Sequence, residues 1–205
     1  MTSKKQNYLQ QFDLKYGCNP YQKPAAIHSL EGHKLPFTIL NGRPGYINLL
    51  DALSAWQLVQ ELDEVLGLPA ASSFKHVSPV GAAVSVPLNG ILKEVYDCKD
   101  LELSQLATAY IRARGADPLS SFGDFISLSR KVDLSAAKLI RKMVSDGIIA
   151  PGFDDDALKL LKEKKDGKYL ILLADTEFRA PETEFREVYG VGFSQLRNTV
   201  KINEK

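Results

Sequence analysis

The 205-residue chain holds only two cysteines, three histidines and one tryptophan, and it contains no long hydrophobic run. Each scarcity excludes something. Cys18 and Cys98 form neither a CxxC pair nor a Cys/His cluster with zinc-ligand spacing, which argues against a disulfide framework or a structural zinc and for a reducing, cytoplasmic compartment. No metal is expected within the chain. No segment reaches the roughly 18 apolar residues of a membrane span, and the opening MTSKKQNYLQQFDLKYG lacks a signal-peptide core. Charge of one sign is missing too. Lys plus Arg number 26 against 25 Asp plus Glu, so nothing draws the chain as a whole to nucleic acid or to an acidic membrane. The basic ends, with Lys4, Lys5, Lys201 and Lys205, read as solvated tails.

What is present reads as a folded α/β domain. Over residues 47–66, Leu49, Leu53, Trp56, Val59, Leu62 and Leu66 recur every three or four positions, and Gly67 follows as a stop. Leu103, Leu106, Ala107, Tyr110 and Ile111 predict a second helix ending at Gly115. A third is predicted from Ser135 to a stop at Gly147, and a weaker fourth near residues 154–164. Between them lie β-prone runs at 37–40, 70–76, 125–128, 148–150 and 169–173. Alternating strands and helices predict a layered sheet, substantially parallel, with helices on both faces. From Thr176 the chain reads as an extended segment with a late strand near 187–191.

His28 and His33 fall in AAIHSLEGHKLP, which reads as a surface turn. His76 closes an apolar run with Lys75 before it, and in the following Val77-Ser78-Pro79 the serine suits a helix N-cap and the proline a first helical position. Lys75 and His76 are thus expected at a strand's carboxyl end facing a helix N-terminus, where α/β sheets bind ligands. Two readings stay open. A lysine there holds a phosphate or a developing oxyanion and a histidine removes a proton; equally, the lysine is a solvated strand end and the histidine a hydrogen-bonded structural residue.

Other segments are equally two-sided. KYGCNPYQKP is a loop in which Lys15 and Tyr16 either clamp a phosphate or base or simply pack, and residues 41–45, NGRPG, are a turn first. Arg112 and Arg114 suit a helix C-terminus. In SSFGDF, Gly123 permits close backbone approach and Phe122 can stack on a flat ring. Asp146, placed at the expected end of the third helix, opposes the helix dipole, which suggests a binding role such as holding ribose hydroxyls.

KYGCNPYQKP, LNGRPGYINLLDALSAWQLVQEL, SFKHVSPVGAAV, ARGADPLSSFGDF and VSDGIIAPGF, in this order, resemble the AICAR transformylases, the formyl-transferring part of bifunctional purine biosynthesis proteins. The likeness covers residues 14–198. It implies a first transformylase subdomain there, with tails at 1–13 and 199–205, and a cytidine-deaminase-like fold. The implied reaction moves a formyl group from 10-formyltetrahydrofolate to the 5-amino group of AICAR, giving FAICAR. In it His76 takes the amine proton and Lys75 stabilises the tetrahedral transition state. Lys15, Tyr16, the Gly123 backbone and Asp146 would contact AICAR, with Phe122 and Leu119 toward the folate. Three departures are visible. Lys15 stands where arginine is frequent, which costs bidentate phosphate recognition; Tyr21 stands where histidine is frequent; and the chain stops where family members continue into a second subdomain. The resemblance therefore implies a site completed by that second subdomain and across a homodimer. A chain that binds AICAR or dimerises without turnover is the alternative. Partners are small molecules and protein; nucleic acid and membrane are not expected.

Overall fold

A computed structural model of the protein describes residues 6–200; Lys4, Lys5, Lys201 and Lys205 lie outside the described residues. In chain order the elements are β1 (Tyr8–Leu14), β2 (Ala25–Leu30), β3 (Phe37–Asn41), α1 (Tyr46–Leu66), β4 (Ala70–Lys75), β5 (Ser78–Val84), α2 (Gly90–Val95) and α3 (Gln105–Gly115). They continue as β6 (Asp124–Leu128), α4 (Leu134–Lys142), β7 (Ser145–Ala150), α5 (Asp155–Lys162), β8 (Leu170–Ala174), β9 (Thr183–Val188) and β10 (Val191–Leu196). The chain divides into two compact units, one through Asp175 and one from Thr176.

The first unit is a layered α/β structure around a six-stranded sheet in the order β3-β8-β7-β6-β4-β5. Its two cores follow from the two-residue period of its strands. In β8, Ile171 enters one core and Leu170, Leu172 and Ala174 the other; in β7, Ile148 and Ala150 face opposite to Ile149. Helices α3, α4 and α5 cover the first face through residues such as Tyr110, Ile140 and Leu161, and α1 covers the second through Leu49, Ala52, Trp56 and Val59. The buried stripe of α1 is turned toward its alanines relative to the leucine pattern, and Leu66 is left exposed.

The sheet is mixed rather than substantially parallel. β6-β7 and β7-β8 are parallel, whereas β3 runs antiparallel to β8, and β4 antiparallel to both β5 and β6. Helical crossovers at α4 and α5 produce the parallel centre; the β4-β5 hairpin, the edge strand β3 and the internal β4-β6 pair are antiparallel. The stretch expected as an N-terminal tail contributes β1, which pairs with β2 so that residues 25–30, His28 included, form a strand and not a turn. The short α2, capped by Asn89 accepting from the Leu92 N–H, is too brief for periodicity to reveal. Among the described residues no helix is long and apolar enough to cross a membrane.

The second unit is built on the β9-β10 hairpin. The strand expected near 187–191 is split between the end of β9 and the start of β10, with the turn at its centre: Tyr189 and Gly190 take φ of 52° and 78°, the paired left-handed conformation of a two-residue hairpin loop.

Candidate active site

The Lys75-His76 pair is not followed by a helix. Residues 78–84 form β5, which folds back on β4 with Ala71 opposite Ala83 and Ser73 opposite Gly81. Local preference favoured a helix after Ser78-Pro79, and long-range pairing overrode it. Pro79 is tolerated because β5 is the last strand of the sheet. His76 and Val77 make the two-residue turn, with φ of 53° and 63°. For a β-branched valine this conformation is strained, so something must hold it.

Asp51 of α1 holds it. The Val77 N–H donates to Asp51 Oδ1 at 2.5 Å, and the carboxyl is buried, with Asp51 5% exposed. Burial raises the Asp51 pKa, opposed by the N–H of Val77 and by the His76 charge. A carboxyl with a raised folded pKa gives its full stability below the unfolded value and loses it as pH rises through the folded one. Asp51→Asn, which keeps an acceptor for Val77 without a charge to bury, is therefore expected to flatten this fall. Thermal melts of both proteins across the acid range check it. A stability difference that stays constant with pH would contradict the assignment.

Lys75 is fixed from the other side. Its Nζ donates to the Phe122 carbonyl oxygen at 2.6 Å. Because β4 is antiparallel to β6 and β6 is parallel to β7, the end of β4 meets the starts of β6 and β7. The cluster therefore lies at the amino ends of the parallel strands, not at the carboxyl-end crevice that sequence patterns predict. Lys75, His76, Phe122, Gly123 and Asp146 all lie at this edge. Phe122 and Leu119 are exposed, at 61% and 89%. Gly123, at φ 77°, sits in a conformation that favours glycine, and its N–H is already donated to the Val144 carbonyl at 3.0 Å.

Asp146 is not at a helix end. α4 stops at Lys142, Met143 is extended, and Asp146 is the second residue of β7, exposed and paired with Lys165 Nζ at 2.7 Å. The dipole argument for it falls away, but its place beside β6 keeps it at the cluster. Arg114 is likewise no simple cap. It is buried, with Nη1 3.0 Å from Asp124 Oδ1 and donating to the Ser121 carbonyl at 2.6 Å. Asp124 Oδ2 accepts from Ser73 Oγ at 2.6 Å, so β4, α3 and the loop before β6 are tied beneath the site. Burial raises the Asp124 pKa, opposed by the Ser73 hydrogen bond and the Arg114 charge.

Lys15 and Tyr16 line a groove of about 800 Å³ together with Arg43, Gly45 and Asn48. The Lys15 ammonium lies 5.9 Å from the Tyr16 ring centroid. Asn48 Oδ1 accepts from the Gly45 N–H at 3.0 Å, fixing the start of α1. Asp51 stands three residues further along, on the same helix face, so the first turn of α1 connects groove and hairpin turn. Tyr21 is exposed at 82% and lies in neither. Sequence reasoning missed Asp51 and Asn48 and read the Arg43 segment as a turn first and a site second; the one signal for Asp51 was a carboxylate set among buried positions of an apolar helix. Among the described residues no group of three or more His, Cys, Asp or Glu is arranged to hold a metal ion.

Two bifunctional purine biosynthesis proteins PurH of Clostridium botulinum, from strains Okra and Hall, are each 34% identical over 163 residues. The matches cover 78% of this chain and 28% of each relative, so the chain spans less than a third of their length. All 205 residues match the protein family described as AICARFT/IMPCHase bienzyme, and the chain belongs to that family.

Proposed function

We propose that the chain carries the proton-transferring side of a formyltransferase that moves a formyl group from 10-formyltetrahydrofolate to the 5-amino group of AICAR, giving FAICAR on the route to IMP. The observation that carries this reading is the Lys75-His76 turn, held left-handed by Asp51 and tied to the Phe122 carbonyl. A base and a cation on one short, clamped turn are what acyl transfer to an amine requires.

The co-substrate supplies the formyl carbon; the chain's own groups handle charge and protons. His76 takes the proton that the attacking amine loses and returns it to N10 as the bond between N10 and the formyl carbon breaks and tetrahydrofolate departs. The Lys75 ammonium faces the negative charge that develops on the formyl oxygen. Its bond to a neutral carbonyl fixes its position without cancelling its charge. Asp146 holds ribose hydroxyls. Since the Gly123 N–H is spent on Val144, a contact from that backbone uses the carbonyl, which accepts from the substrate. Exposed Phe122 and Leu119, on the same loop, offer apolar surface to a flat pteridine ring. We further propose a cytoplasmic enzyme whose site is completed by a second transformylase subdomain or a second copy of the chain.

Calorimetric titration with AICAR tests the substrate side. The chain is expected to bind it, and Asp146→Ala to weaken binding about 10-fold, the worth of one charge-assisted hydrogen bond. Unchanged affinity in Asp146→Ala would remove that residue from the site.

A further inference from the structure

The Lys15 groove holds a second cation that the reading above does not use. Arg43 is exposed on the loop between β3 and α1, and it lines the groove together with Lys15. Neither side chain has a hydrogen bond or ion pair among the described residues. The one acid in the groove, Asp13, is engaged through Oδ1 by Gln10 Nε2 at 2.7 Å. Two unpaired like charges facing one groove repel each other, an arrangement that favours a bound anion.

The loop that presents Arg43 is rigid on both sides. Asn41 Nδ2 donates to the carbonyls of Gly167 and Tyr169 at 3.0 and 2.8 Å. Gly42, at φ 78°, is pressed so close to the start of β8 that a Cβ there would lie 2.9 Å from Leu170 Cα. Pro44 then restricts Arg43 to extended backbone. The guanidinium is displayed from a fixed backbone, so only the side chain itself has to be ordered against a ligand.

We propose that Arg43 is a second phosphate-binding residue, gripping the phosphate monoester of the ribonucleotide jointly with Lys15. A phosphate monoester carries about −1.5 to −2 charge at neutral pH, which one lysine only half neutralises. A lysine is a point charge; the planar fork of Arg43 adds two parallel donors. This assignment deepens the formyltransferase reading and rests on it for the identity of the nucleotide.

The test is calorimetry on the full chain with three probes: AICAR, its nucleoside lacking the phosphate, and ribose 5-phosphate. AICAR is expected to bind at least about 10-fold more tightly than the nucleoside. Arg43→Ala is expected to abolish most of that difference while leaving nucleoside affinity unchanged, and Arg43→Lys to restore part of it. Because Arg43 makes no contact that the fold uses, both variants retain the wild-type melting temperature. An unchanged AICAR-to-nucleoside ratio in Arg43→Ala overturns the proposal and leaves the formyltransferase reading standing. Ribose 5-phosphate binding as tightly as AICAR, and with the same Arg43 dependence, supports the proposal and removes AICAR as the preferred ligand. No measurable binding of any phosphorylated probe to the wild-type chain overturns it.

Discussion

Replacing Arg114 by methionine is expected to destabilise the first unit by about 3–5 kcal/mol, because it strands the fully buried Asp124 carboxylate without its cation. For a unit of this size that corresponds to a fall in Tm of roughly 10 °C. The argument is one of desolvation. The Arg114 guanidinium is 9% exposed and Asp124 is 0% exposed, so water cannot replace the lost partner. The Ser121 carbonyl also loses the shorter of its two donors, keeping the Asp124 N–H at 3.2 Å. Two further outcomes separate this cause from lost packing. Arg114→Met combined with Asp124→Asn removes the stranded charge while keeping an acceptor for Ser73, and is expected to recover much of the loss. The Asp124 pKa is already raised by burial, and losing the arginine removes a lowering influence. The penalty of the single substitution should therefore shrink as pH falls and Asp124 protonates. A single variant that melts within a degree or two of the wild type at neutral pH would refute the ion pair's structural role.

The second large effect concerns chemistry. His76→Asn is expected to lower formyl transfer about 10²- to 10⁴-fold, the usual contribution of a general base, in an assembly that supplies the second transformylase subdomain. Asparagine is the informative choice. At φ 53° the left-handed conformation disfavours most side chains but tolerates asparagine, so the turn, its Asp51 contact and the Lys75 anchor persist while the base is lost. AICAR affinity should stay within a few-fold of wild type. A variant that transfers formyl groups at the wild-type rate would move the proton acceptor elsewhere.

The layered architecture was legible because its signals are local. The helical stripe on α1, the glycine stops at Gly67 and Gly115 and the apolar runs of β4, β6, β7 and β8 each announce themselves within about ten residues. What escaped notice depends on partners distant in sequence. Ser78-Pro79 satisfies the local rules of a helix start, yet residues 78–84 gain more by pairing with β4 at the edge of the sheet. The Asp51 contact with Val77 spans 26 positions, and no local pattern marks a helix side chain that will support a later turn. Arg114 fits the C-terminal dipole rule so well that its burial against Asp124 is invisible until β6 is placed. Asp146 drew notice through a mistaken helix end, although β7 still carries it to the same edge as Lys75. The groove came half into view: Lys15 and Tyr16 stood out as a loop, but the rest of its lining from Arg43 to Asn48 read as a turn and a helix start.

The central claim is that the hairpin turn at His76, the loop at Phe122-Gly123, the start of β7 and the Lys15 groove together form one ribonucleotide site. Backbone amide shifts of the isotope-labelled chain during titration with AICAR test it directly. Saturable shifts at Tyr16, Arg43, His76, Gly123 and Asp146 with a single shared Kd are the expected result. Shifts confined to one of these segments, or centred on another part of the sheet, would contradict it.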